Sequence, residues 1–148
     1  MKNQINIFNT TEIKPIPRKK ILTIANFILE DYNVSSATIN IVLQTNEEIT
    51  KINKEFLNHN YETDVISFNI EEEPFEGELY ISLEKTIEQA KEFNQSINDE
   101  LLRLVAHGLL HLMGLDDKND EQKKKIHKLE DYYIFKTKKN DDNEKFFR

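Results

Sequence analysis

One stretch constrains the fold more than any other: His107-Gly-Leu-Leu-His-Leu-Met-Gly-Leu-Asp-Asp117. It ends a run, Leu101 to Met113, that is apolar on almost every side: Leu101, Leu102, Leu104, Val105, Ala106, Leu109, Leu110, Leu112 and Met113. A helix that is hydrophobic all round is a central, buried one, so the other elements must be built around it. Arg103, His107 and His111 break the pattern at steps of four, on one stripe of that helix. Burying two unpaired imidazoles costs free energy unless something binds them.

At this spacing both imidazoles can reach one metal ion. Gly114 follows three residues after His111, where a left-handed glycine ends a helix and turns the chain back. Asp117 can then return to the same point with a carboxylate. Two nitrogens and one oxygen leave a fourth tetrahedral position open, the layout of a catalytic zinc site. A lone pair of histidines at this spacing would more often be hydrogen-bonded core residues, with Asp117 a loop carboxylate. The glycine and the third donor at its offset tip the reading to metal. Gly108, inside the helix, costs about 1 kcal/mol relative to alanine and suggests a close backbone approach.

Around this helix short strands and helices mix without a clean alternation. Gln4–Phe8 reads as a strand, and Pro15 and Pro17 open a helix with Ile21, Leu22, Ala25, Ile28 and Leu29 inward. Thr38–Leu43 is β-branched and strand-like. Thr45 or Asn46 caps a helix with Glu47 and Glu48 in its first turn and Ile49, Ile52, Asn53 and Phe56 on its buried face. Leu57–Glu62 reads as a loop, Val65–Ile70 as a strand, Glu71–Gly77 as an acidic turn and Leu79–Ser82 as a fourth strand. Ser82 caps a helix with Leu83, Ile87 and Ala90 inward, Asn98 caps the metal helix, and a last helix starts near Asp120 with Ile126, Leu129 and Tyr133 on one face. The expected class is α+β, a small mixed sheet of about four strands packed with helices, whose central helix carries a zincin-like metal site. The 148 residues read as one domain, with a polar tail from about 137 to 148 expected to fray.

Composition narrows the function. There is no cysteine, which excludes disulfides and thiolate zinc sites and is compatible with a reducing cytoplasm. No stretch approaches a membrane span, and the start lacks the apolar core of a secretion signal. The net charge of -7 argues mildly against a nucleic-acid binder. Basic character is local, at Arg18–Lys20 and at Lys123–Lys125 with Lys128, where a solvated helix face is the simpler reading.

The stretch His107–Asp117, with Thr63-Asp-Val-Ile-Ser-Phe68 and Gly77-Glu-Leu-Tyr-Ile-Ser82, resembles the YbeY family of bacterial rRNA maturation factors. That family's helix motif, His-Gly-x-Leu-His-Leu-x-Gly-Tyr-Asp-His, is matched at His107, Gly108, Leu110, His111, Leu112, Gly114 and Asp116. The resemblance implies a zinc-dependent single-strand endoribonuclease acting in maturation of small-subunit (16S) rRNA. It also implies one Zn2+ per chain, an oxygen ligand also suiting another divalent metal, with ribosomal RNA, the small ribosomal subunit and ribosome-associated proteins as partners. Neither DNA nor membrane is expected, and the location implied is cytoplasmic.

The chain departs from the family in places. Asp117 replaces a usual histidine, Leu115 a tyrosine, and Glu78 stands where aspartate is common. Leu57 stands where an arginine is frequent, so RNA phosphate would need another base, with His59 and Arg103 as candidates. Arg103 could instead pair with an acid such as Asp99. Asp116 is a candidate outer partner for a ligating histidine. Asp64 could anchor its strand or bond near the site, and His127 reads as surface.

Two other readings fit the same ligands. The His-x-x-x-His-x-x-Gly spacing is shared with metzincin-like metalloproteases, but those place a glutamate base where this chain has Gly108. A non-catalytic, zinc-stabilised ribosome-binding module is the other.

Overall fold

A computed structural model describes residues 2–58 and 63–146. In chain order the elements are β1 (Gln4–Asn9), α1 (Arg18–Asp31), β2 (Thr38–Gln44), α2 (Asn46–Leu57), β3 (Val65–Glu72), β4 (Phe75–Ser82), α3 (Leu83–Glu92), α4 (Ile97–Leu112) and α5 (Asp120–Phe146). The expected α+β class is what forms. The sheet has the order β1-β2-β4-β3, with β1, β2 and β4 parallel and β3 antiparallel to β4. Parallel neighbours need crossovers, which α1 supplies between β1 and β2.

Side chains alternate across each strand. Ile39, Ile41, Leu43, Leu79 and Ile81 point to one face and are fully buried there with α1 and α4. Ser67 belongs to that face too, since its hydroxyl donates to the Gly108 carbonyl of α4 at 3.1 Å. The opposite face carries Phe68, Tyr80 and Ile66, with Phe56 of α2 set edge-on to Phe68. Phe56 was expected inward. It is 64% exposed, because α2 buries Ile49 and Asn53 while Phe56 meets only the rim of the sheet.

α4 is central, as its composition predicts. Leu101, Leu102, Leu104, Val105, Ala106, Leu109 and Leu110 are buried on several sides, between the sheet, α1, α3 and α5. Gly108 lets it approach β4: a Cβ there would lie 2.8 Å from Leu79 Cδ2.

Local boundaries differ from the sequence reading where side-chain bonding decides them. α4 is capped by Ser96, whose hydroxyl accepts from the Asp99 amide, so the helix starts before Asn98. The acidic turn is tighter than expected. β3 and β4 stay paired out to Glu72 and Phe75, with a register shift between Asn69 and Glu71. α5 does not stop near Thr137: it runs to Phe146, and Thr137 is 1% exposed. Thr45 and Ser82 cap α2 and α3 as read.

Candidate metal centre

α4 presents Arg103, His107 and His111 on one side, one turn apart. After His111 the helix ends, and Gly114 adopts φ +99 as its position requires. The chain then folds back and delivers Asp117 to the two imidazoles. His107 Nε2 and His111 Nε2 are 3.1 Å apart, and Asp117 Oδ2 is 3.4 Å from each. Neighbouring donors around a tetrahedral zinc with bonds of about 2.0–2.1 Å are ~3.3 Å apart. The triangle therefore has the size such an ion requires, and its two-nitrogen, one-oxygen chemistry suits a divalent metal.

The lone pairs also point the right way. Glu130 Oε2 of α5 lies 2.7 Å from His107 Nδ1, so Nδ1 carries the proton and donates it. That leaves Nε2 bare toward His111 and Asp117. Burial alone would lower the His107 pKa. The hydrogen bond and charge of Glu130, then the charges of Asp117 and Asp64, outweigh it and hold the pKa above 6.5.

Glu130 was not among the residues read from the sequence as functional. Its carboxylate is 5% exposed and divided: Oε2 takes His107, and Oε1 takes Arg103 Nη1 at 3.0 Å. Arg103 is held a second time by Asp131, 2.6 Å from Nη2. Arg103 thus pairs with α5 and not with Asp99, which takes Lys138 Nζ at 2.9 Å. Among the described residues Asp116 partners no histidine. It is exposed beside Met113 and Gln122, in a separate cavity. A sequence signal for Glu130 did exist: it falls on the Ile126, Leu129, Tyr133 stripe, an acid on a buried face.

The triad opens on a cleft of about 380 Å³. Residues Thr63 to Ser67, leading into and along the free edge of β3, form one wall, with Asn53 and Leu57 of α2 beside it. Asp64 lines this cleft and accepts from Gln89 Nε2 at 3.2 Å. Leu57 brings an apolar side chain where the family arginine was expected. His59 lies outside the described residues. His127 is at the surface as read, with 64% of its side chain exposed. None of the described helices is long and apolar enough to cross a membrane.

Comparison with known proteins places this geometry. A sequence model of the family described as Endoribonuclease YbeY matches residues 4–138. The chain is 34% identical over 135 residues to an endoribonuclease YbeY of Chlorobaculum tepidum, covering 90% of this chain and 98% of that protein. It is 37% identical over 130 residues to the Sulfurihydrogenibium protein of the same name, covering 84% of this chain and 86% of the relative. A solution structure from Thermotoga maritima superposes with a TM-score of 0.64 at 28% identity, covering 90% of this chain and 89% of that one.

Proposed function

The chain belongs to the Endoribonuclease YbeY family, and from that premise we propose that it is a zinc-dependent single-strand endoribonuclease that matures small-subunit rRNA in the cytoplasm. His107, His111 and Asp117 are its metal ligands, and residues 1–148 act as one domain. The observation that carries this reading is the convergence of those three donors within 4.8 Å of one another beside an open cleft.

Bound there, zinc would polarise a phosphoryl oxygen and lower the pKa of water toward about 7. The chain's own residues do the rest. Glu130 keeps the His107 Nδ1 proton and so aims Nε2 into the site. Arg103 holds Glu130 in place and is consumed in doing so. Asp117 adds a negative charge where relatives carry histidine, which favours retention of a divalent cation. The cleft of about 380 Å³ beside the β3 edge is where the RNA strand would lie.

The protease reading weakens on one contact. A glutamate at position 108 would start with a Cβ 2.8 Å from buried Leu79 and 3.2 Å from Ser67 Oγ, so α4 has no room there for that base.

The test is made in cells. In bacteria lacking the protein, small-subunit rRNA should keep unprocessed ends. Wild-type protein should restore them, and a folded His107→Ala, His111→Ala variant should not. Full rescue by that variant would leave only the ribosome-binding module. Purified protein should not cleave denatured casein.

A further inference from the structure

The triad stands between two cavities. The larger is the β3 cleft, whose charged lining among the described residues is the acids Asp64 and Asp117 with the two histidines, and no lysine or arginine. The smaller, of about 160 Å³, lies on the α5 side and shares His107 and Asp117 with it. Lys123, His127 and Glu130 of α5 complete that second space, with Ile126 at its floor.

Lys123 and His127 are four residues apart on one helix, so they lie on one face, a turn apart. Among the described residues the Lys123 ammonium has no ion pair or hydrogen bond. His127 sits 3.6 Å from Asp131 and 3.9 Å from Glu130, and Arg103 Nη1 is 3.5 Å from its Nδ1. Those two acids are already engaged by Arg103, at 2.6 and 3.0 Å. Their charge is thus partly met, and Lys123 remains the uncommitted cation beside the metal ligands.

An RNA strand needs cationic donors for its phosphates. Arg103 is locked to α5, and position 57 is leucine. We propose that Lys123 and His127 form a phosphate subsite on the α5 side of the triad. It takes the non-bridging oxygens of a backbone phosphodiester neighbouring the one held at the metal. The strand then crosses the triad, its ribose and bases along the β3 wall, which carries Asp64 and no cation among the described residues, and its next phosphate on α5. This inference rests on the ribonuclease reading. It also gives the basic run at Lys123–Lys125 a role for one of its members.

Binding of a 2′-O-methyl single-stranded RNA, checked for intactness, tests it on zinc-loaded protein as salt is varied. Lys123→Gln should weaken binding about fivefold at low salt and flatten the log–log salt slope by about 0.7. Adding His127→Gln should weaken it further, and Lys123→Arg should restore the slope. In cleavage assays the double variant should raise KM with little change in kcat, and zinc affinity should stay unchanged. Lys91→Gln, on exposed α3 surface, should change nothing. An unchanged slope and KM in the double variant would overturn the subsite. So would a loss of zinc affinity in parallel with RNA binding, which would make both residues supports of Glu130. RNA binding without cleavage by the wild type removes the ribonuclease reading and leaves the subsite standing, whereas no RNA binding by the wild type removes the subsite.

Discussion

The Glu130 carboxylate on α5 lies 2.7 Å from the Nδ1 of His107 on α4, so an imidazole of the candidate metal triad takes its orientation from a residue 23 positions further along the chain. Glu130→Gln keeps the shape but removes the charge that fixes the proton on Nδ1. Loss of such an outer partner costs roughly 10–100-fold in metal affinity. Competition against a chromogenic chelator should show a drop in that range, with the fold retained by circular dichroism.

Asp117 and Asp116 are adjacent, but only Asp117 reaches the histidines. Asp117→His should keep the metal, and Asp117→Ala should weaken it by more than the roughly 10–100-fold cost of an outer partner. Asp116→Ala should leave zinc affinity unchanged. Calorimetric zinc titration of the three variants checks this. Metal loss in Asp116→Ala alone would reverse the assignment.

The site was largely legible because its local part is periodic. His107 and His111 lie on one helix, and Gly114 and Asp117 follow in the short turn that ends it, where spacing dictates geometry. What spacing cannot supply is contact between distant elements. Arg103 reads from the sequence either as a phosphate contact or as the partner of an acid such as Asp99; it does pair with acids, but with two on α5, which packs alongside. Glu130 was passed over for Asp116 because the latter is near in sequence. The sheet followed the same rule. Strand identities came from β-branched runs, while the extent of the β3–β4 hairpin depended on a register shift that no single run encodes.

Gly108 packs against Leu79 and should not tolerate the residue that proteases carry there. Gly108→Glu forces a charged side chain into the α4–β4 contact and should cost more than about 3 kcal/mol. Urea denaturation measures it, and no caseinolytic activity should appear.

The α2 cap carries a pH signature. Glu48 is held below its ordinary 4.5, chiefly by the hydrogen bond from the Thr45 amide, against burial, with help from the Thr10 hydroxyl. A carboxyl depressed in the folded state adds stability above its unfolded pKa and loses it as pH falls through the folded value. Urea midpoints should therefore fall as pH drops below about 4.5. Glu48→Gln should flatten that part of the curve. Thr45→Ala, which removes the side-chain half of the capping box, should cost about 1 kcal/mol.

The most direct measurement is single-turnover cleavage of a single-stranded RNA by metal-stripped protein as zinc is added back. Activity should be absent without metal, rise with zinc and saturate at about one equivalent per chain, as one triad of donors requires. His111→Ala should stay inactive at the same zinc concentrations. Cleavage that proceeds undiminished in the stripped protein, or in His111→Ala, would contradict a catalytic metal at His107, His111 and Asp117.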